Sequence, residues 1–466
     1  MAPAELEADY VVVGSGAMGM AFTDVLLNET DATVILIDRH HRPGGHWNDA
    51  YPFVRLHQPS AFYGVNSRVL GSGAKDAVGW NAGLYELASG AEVCAYFDQV
   101  LQQQFLPSGR VQYFPRCEFL GKGRFVSLAS GREQRASARR KTVDATYMNV
   151  VVPSIRPPPY VVAPGVRCVP INGLVAQERP PSRYVVVGAG KTGMDAVLWL
   201  LANGVDPDAI AWIMPRDSWM LDRATIQPDA RASRLALSVG KQMAAIAGAE
   251  SIDALLDAVH GAGQLLRLDD RVRPTMYRCA TVTRAELEQL RRVRNVIRLG
   301  RVKRLEQDRI ELENGTLPSD PEALYVDCSA DGLARRPVVP VFAGEHITLQ
   351  SVRTCQQVFS AAFIAHVEAA YADDVLKNSL CAVVPHPDSS VDYLRTTLAN
   401  SLNTLRWAQD AALTAWVARS RLDIFGTAAM VSSADSAEVQ EAQRLLAAHA
   451  APALANLQRL LVGVSE

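Results

Sequence analysis

Asp9-Tyr10-Val11-Val12-Val13-Gly14-Ser15-Gly16-Ala17-Met18-Gly19 is the stretch whose reading decides the fold. An apolar run enters a Gly-x-Gly-x-x-Gly turn, a helix-compatible segment follows over Met20 to Asn28, and a second apolar run spans Ala32 to Ile37. Strand, glycine turn, helix and strand make the βαβ unit that cradles a dinucleotide. The first glycine allows the tight turn, the second lets a pyrophosphate approach the backbone, and the third lets helix pack on strand. The helix N-terminus then offers Ser15, Ala17 and Met18 as backbone donors to phosphate. Asp38 ends the second run, 24 residues after Gly14, where a carboxylate accepts ribose hydroxyls and repels a 2′-phosphate.

The same grammar returns 174 residues later. Arg183 to Val187 leads into Gly188-Ala189-Gly190-Lys191-Thr192-Gly193, then a helical stretch over Met194 to Asn203 and a strand over Ala209 to Met214. A Walker A reading of Gly190-Lys191-Thr192 fails, because Val185 stands where that loop needs glycine. A second pyrophosphate turn therefore remains, with Lys191 adding charge. Its second strand ends in Pro215-Arg216, and an arginine there suits the 2′-phosphate of NADPH. Asp217 beside it keeps NADH open. The expected fold class is α/β, with two Rossmann-like dinucleotide-binding domains.

The chain has 466 residues, enough for two or three domains. Its 47 basic and 49 acidic residues leave a net charge of −2, which argues against nucleic acid or an anionic membrane as partner. Met1 to Asp9 reads as neither a secretory signal nor a transit peptide, and no apolar stretch approaches the roughly 20 residues that span a bilayer. The cysteines at 94, 117, 168, 279, 328, 355 and 381 form no Cys-x-x-Cys pair. That spacing argues against a disulfide framework, a zinc site and a dithiol relay, and makes cytoplasm the expected setting. His40, His41 and His46 lack the accompanying ligands of a metal site, so no metal is expected.

Between the two units, Gly121 to Thr146 alternates like a small antiparallel sheet, and Pro153 with Pro157-Pro158-Pro159 forms a stiff connector. Arg231 to Gly263 reads as a helical insertion, and Asn295 to Glu313 as returning strands with a turn at Asn314-Gly315. From about Thr354 the chain reads as helical, with long candidates over Val391 to Arg421 and Glu438 to Leu461. Trp407 and Trp416 sit at helical spacing, where core is the commoner fate; they are also the candidates for substrate-pocket walls. The domains expected are 1–176 (first part of one nucleotide domain), 177–324 (the second domain, with a helical insertion near 228–265) and 325–466 (ending in a helical C-terminal region).

Asp38-Arg39 continues through Gly44-Gly45-His46-Trp47 to Tyr51-Pro52-Phe53-Val54-Arg55-Leu56-His57. In this order the acid, the Gly-Gly-x-Trp and the Tyr-Pro-x-x-Arg resemble the flavoprotein monooxygenases with two dinucleotide-binding domains, the group of flavin-containing monooxygenases and Baeyer–Villiger enzymes. The likeness covers about residues 8 to 60 and 180 to 220. It implies that the second domain is inserted and that the chain then returns to the first. It implies FAD on the first turn, held by Gly14 to Gly19, Asp38, Arg39, Gly45, His46, Trp47, Arg55 and His57. It implies NADPH on the second, held by Gly188, Gly190, Lys191, Thr192, Gly193 and Arg216. Asp144-Ala145-Thr146 and Asp327-Cys328-Ser329 occupy the places of the family's hinges, and Asp331 with Gly332 those of a late flavin contact. Where Baeyer–Villiger enzymes carry an aspartate, this chain has His57, then Gln58, which makes both candidate catalytic residues. The implied activity is monooxygenation of a small organic substrate by O2 through a flavin hydroperoxide. The family's Phe-x-Gly-x-x-x-His-x-x-x-Trp run is missing from Pro164 to Leu174. An FAD-dependent dehydrogenase or oxidase, and a non-catalytic FAD-binding protein, stay open beside it.

Overall fold

The computed structural model describes residues 5–228, 232–330, 332, 334–425 and 437–464. The opening stretch folds as expected: β1 (Glu5–Val13), α1 (Ala17–Glu29) and β2 (Val34–Ile37) form a βαβ unit, with Tyr10 to Val13 in parallel register with Val34 to Ile37. All four residues of β2 are buried, as are Tyr10, Val11 and Val12, the pattern of strands covered on both faces. Strand Glu133–Asp144 flanks β1 on its other side and Val111–Phe114 flanks β2, both parallel. The antiparallel sheet expected over Gly121 to Thr146 is therefore only partly present. Cys117–Gly121 and Arg124–Ser127 do form a hairpin, but Glu133–Asp144 runs on into the parallel sheet. Pairing with β1 is a contact across about 130 residues, invisible to local alternation.

The second unit repeats the first. β3 (Tyr184–Val187), α2 (Lys191–Ala202) and β4 (Ile210–Ile213) lie in a five-stranded parallel sheet with Asn295–Ile297, Leu324–Asp327 and Cys168–Pro170. Because Cys168–Pro170 and Leu324–Asp327 pair with each other, this domain reaches beyond the 177–324 span on both sides. A four-stranded sheet of Val161–Val162, Val302–Leu305, Arg309–Leu312 and Gly315–Pro318 packs beside it. The helical insertion is present as Ala232–Gly248 and Ile252–Gly261, next to a three-stranded sheet that contains β5 (Met276–Val282).

After Asp327 the chain returns to the first sheet through His346–Thr348, parallel to Thr142–Asp144, and α3 (Gln357–Ala370) packs along α1. The first domain is thus discontinuous and the second is inserted in it. The long helix expected over Val391 to Arg421 is broken into Ser390–Trp407 and Ala411–Arg419, because the Asp410 carboxylate caps the second piece through Ala412 and Leu413 N–H. Trp407 and Trp416 are core residues and not pocket walls: they pack with Phe359 and Phe363, and their indoles donate to the Leu380 carbonyl and to Glu29. Cys279 and Cys355, 76 residues apart, form a disulfide with Cα atoms 6.5 Å apart. The spacing argues against a disulfide framework, and this is a single bond between segments that the fold brings together and the spacing keeps apart.

Candidate functional site

Gly14 has a φ of +100°, and a Cβ there would sit 2.9 Å from the Thr146 Cγ2. Gly19 is under the tighter constraint: a Cβ would lie 1.9 Å from the Gly14 carbonyl oxygen, so only glycine lets α1 approach β1. Gly16 is the N-cap of α1 and supplies no side chain to the first-turn N–H groups at Ala17 and Met18. The Gly44-Gly45 turn folds back over this one, with Gly44 N–H donating 2.9 Å to the Ser15 carbonyl. Gly45, at φ +56°, comes so near that a Cβ would stand 3.0 Å from the Gly16 Cα.

Asp38 is placed as expected, against the turn. It accepts from Ser15 N–H at 2.5 Å, Ser15 Oγ at 2.8 Å and His40 N–H at 2.7 Å. Burial pushes its carboxyl up, and the donors from His40 and Ser15 outweigh that, holding it below the usual range. His40 bridges Asp38 (3.1 Å) to Asp49 (2.8 Å), and these carboxylates, Asp38 first, raise its own affinity for a proton. Trp47 donates 2.7 Å to the Tyr63 hydroxyl, and His46 stacks on the Trp47 ring, its imidazole pulled down to about 4 by burial. Two expected contacts do not join the cluster. Arg39 turns to solvent, 4.0 Å from Glu118, and the exposed Arg55 donates 3.1 Å to the Leu87 carbonyl. Asp331 lies outside the described residues.

The second turn obeys the same sterics. Gly188 has φ +132°, and a Cβ at Gly193 would lie 2.1 Å from the Gly188 carbonyl oxygen. A Cβ at Gly190 would meet nothing within 4 Å, leaving that backbone open beside Thr192 at the start of α2. Lys191 pairs with Asp195 one turn on, and Asp195 also accepts 2.5 Å from the Tyr51 hydroxyl of the first domain. Arg216 makes a two-pronged contact with Asp388, at 2.9 and 2.8 Å, and Arg278 Nε donates to the same carboxylate at 2.7 Å. Arg216 foremost holds the Asp388 carboxyl down at about 2. Asp217, which had kept NADH open, is buried under a two-pronged contact from Arg298 at 2.8 and 2.9 Å.

His57 sits where the two domains meet. Its carbonyl accepts 3.0 Å from Arg223 Nε, and its Nδ1 is buried with no hydrogen-bond partner among the described residues. Burial, reinforced by Lys191 and Arg223, pulls the ring down to about 3, so the imidazole is neutral at pH 7. Gln58 follows it, half-buried. The Arg223 side chain is fully buried and also holds Glu286 (2.9 Å), Asn81 (3.0 Å) and the Thr281 carbonyl (3.2 Å). The two hinge segments share one local form: Asp144 accepts from Thr146 N–H at 2.8 Å, and Asp327 from Ser329 N–H at 3.1 Å.

Sequence reasoning missed Asp195, Arg223, Arg278 and Asp388 as members of this cluster. Only Asp195 had a readable signal, one helical turn after Lys191; Asp388 reaches Arg216 across 172 residues. A cavity of about 410 Å³ lies elsewhere, between the five- and four-stranded sheets, lined by Val185, Ile297, Leu299, Ile310 and Tyr325 among others. None of the expected site residues borders it.

Fold and glycine geometry define a chain with two dinucleotide-binding domains, one inserted in the other. Residues 12–64 match the family described as NAD(P)-binding Rossmann-like domain. Over 420 residues the chain is 58% identical to an uncharacterized protein of Mycobacterium tuberculosis (strain H37Rv) and to one of Mycobacterium bovis, covering 90% of this chain and 78% of each relative. It belongs to their family. Among solved structures, the open crystal structure of cyclohexanone monooxygenase is 11% identical, covers 92% of this chain and 98% of that one, and superposes with a TM-score of 0.50. At that identity the likeness is one of fold, and it agrees with the resemblance read from the first sixty residues.

Proposed function

We propose that this chain is an FAD-dependent oxidoreductase that draws electrons from NAD(P)H, and within that class a monooxygenase acting with O2 on a small organic substrate. The observation that carries the reading is the seam itself. Each domain carries a glycine turn of matching geometry, and at their junction the neutral His57, close enough to Lys191 and Arg223 to feel their charge, has a buried Nδ1 with no hydrogen-bond partner among the described residues. The residues present fit the two cofactors. Gly14, Ser15, Gly16, Ala17, Met18 and Gly19 would take the FAD pyrophosphate, Asp38 the ribose, and Gly45, His46, Trp47 and His57 the path toward the flavin. Gly188, Gly190, Thr192 and Gly193 would take the nicotinamide dinucleotide's pyrophosphate, with Lys191 as counter-charge. When bound, the flavin supplies hydride acceptance and oxygen reactivity.

The chain's own part is orientation, exclusion of water and hydrogen bonding. Tyr51, held by Asp195, ties the first domain's loop to α2, and Arg223 ties the His57 backbone to the second domain. His57 Nδ1 offers a neutral donor or acceptor, according to tautomer, that does not change charge near pH 7. Asp217 is held by Arg298, and Arg216 would take a 2′-phosphate by giving up Asp388; the preference for NADPH over NADH rests on that exchange. One observation favours a second reading: the missing His-x-x-x-Trp before the second turn suits electron transfer without oxygen insertion, as in a dehydrogenase or oxidase. A cytoplasmic setting is part of the proposal; among the described residues no helix is long and apolar enough to cross a membrane.

Anaerobic addition of NADPH to yellow, FAD-loaded protein tests the reading. Bleaching at the flavin bands supports it, and oxygen uptake with transfer of labelled oxygen into product separates monooxygenase from dehydrogenase. Colourless protein that refuses FAD, or flavin that NADPH leaves oxidised, overturns it.

A further inference from the structure

Cys279 lies on β5, in the inserted domain, and Cys355 lies two residues before α3, in the return to the first. Two residues beyond Cys279, the Thr281 carbonyl accepts from Arg223, which also donates to the His57 carbonyl. From Cys355 the chain enters α3, which runs along α1, the helix that starts at the first glycine turn. The disulfide therefore joins the inserted domain to the return segment of the first, and on the Cys279 side it lies two residues from the Thr281 carbonyl that Arg223 links to His57. Both cysteines hold left-handed backbone, at φ +54° and +59°, a region that L side chains rarely adopt and that concentrates at functional sites. The two sulfurs differ in access. Cys279 is 2% exposed, packed among Trp219, Tyr277 and Tyr393, whereas Cys355 is only half-buried.

We propose that the Cys279–Cys355 disulfide is a second redox group of this site, reduced by the nicotinamide dinucleotide and spent on small-molecule disulfides. This rests on the function proposed above. The reducing equivalents balance: NAD(P)H and one proton deliver two electrons and two protons, the S–S bond breaks, and two thiols and NAD(P)+ result. In the spending half, the Cys355 thiolate attacks a small disulfide, forming a mixed disulfide and releasing one thiol. The Cys279 thiol, losing its proton, then attacks the Cys355 sulfur and releases the second thiol. Access dictates that order, since an incoming disulfide reaches Cys355 and cannot reach Cys279.

The test counts thiols on the holoprotein. Alkylation with iodoacetamide under denaturing conditions, without reductant, should label five of the seven cysteines as purified, sparing 279 and 355. After anaerobic NADPH it should label all seven. Flavin that bleaches while the count stays at five overturns this inference and leaves the proposed function standing. Flavin that does not bleach overturns both. Seven labels before any NADPH overturns the inference alone. As an independent arm, C279S incubated with glutathione disulfide should trap a mixed disulfide at Cys355, whereas C355S should trap none at Cys279. Far-UV circular dichroism and bound FAD confirm that each variant is folded, and trapping at neither or both positions overturns the assignment.

Discussion

Replacing Asp388 by asparagine should tighten NADP+ binding and leave NAD+ binding where it was. Arg216 gives Asp388 two contacts, at 2.9 and 2.8 Å, and Arg278 gives it another at 2.7 Å. A ribose 2′-phosphate that uses Arg216 must first displace this carboxylate. The side chains of Arg216 and Asp388 are 32% and 35% exposed, so solvent screens the pair and each contact counts as near-surface, about 0.5–1 kcal/mol. Releasing two arginines is then worth about 1–2 kcal/mol, or roughly 5- to 30-fold in Kd. Asparagine keeps the shape, and the Asp388 carbonyl still accepts from Tyr277 N–H at 3.1 Å, so the loop should hold its place. Titration calorimetry with both nucleotides on wild type and D388N reads the ratio directly. The gain should shrink as salt rises from 50 to 300 mM, because the competing pairs are screened. An equal gain for NAD+, or weaker NADP+ binding, would refute the reasoning.

Three further outcomes follow from the same geometry. Gly19→Ala places a methyl 1.9 Å from the Gly14 carbonyl oxygen and Gly193→Ala one 2.1 Å from that of Gly188; absorbance should show G19A purifying without flavin, and G193A keeping flavin that NADPH no longer bleaches. Since His57 has a folded pKa of about 3 against an unfolded value near 6.5, the unfolded chain binds the extra proton between these values, and stability should fall as pH drops through that window, by up to about 1.4 kcal/mol per pH unit. Denaturant melts of H57Q from pH 7 to 4 should be flatter, although His46, at about 4, retains part of the slope; an unchanged slope would refute the assignment. Arg223→Met strands the largely buried Glu286 carboxylate and should cost about 3–5 kcal/mol in a urea melt, whereas a loss under 1 kcal/mol would show that the pair is not buried in solution.

Legibility tracked range along the chain. The glycine turns, Asp38 and the insertion helices could be read because each depends on neighbours within one supersecondary unit: a Cβ clash with a carbonyl five residues away, or a side chain 23 residues on that closes one βαβ unit. Asp410 shows the limit of periodicity even locally, since the apolar pattern continues while the cap ends one helix and starts another. Arg39 and Arg55 were legible as part of a motif but not in direction, because the motif names residues and the loop decides which way they face.

The amino-acid order alone determined that two phosphate-cradling turns exist and where they lie, because glycine spacing and strand length are local steric facts; that one domain interrupts the other was implied by the family resemblance and decided by the pairing of His346–Thr348 with Thr142–Asp144. Which side chains meet in the seam was settled only in three dimensions. Asp388 on Arg216, Cys355 on Cys279 and Arg223 behind His57 are pairs separated by 172, 76 and 166 residues. No local pattern encodes such pairs; they arise when the packing of two domains brings distant segments together, where charge and hydrogen bonding must be satisfied at the same time.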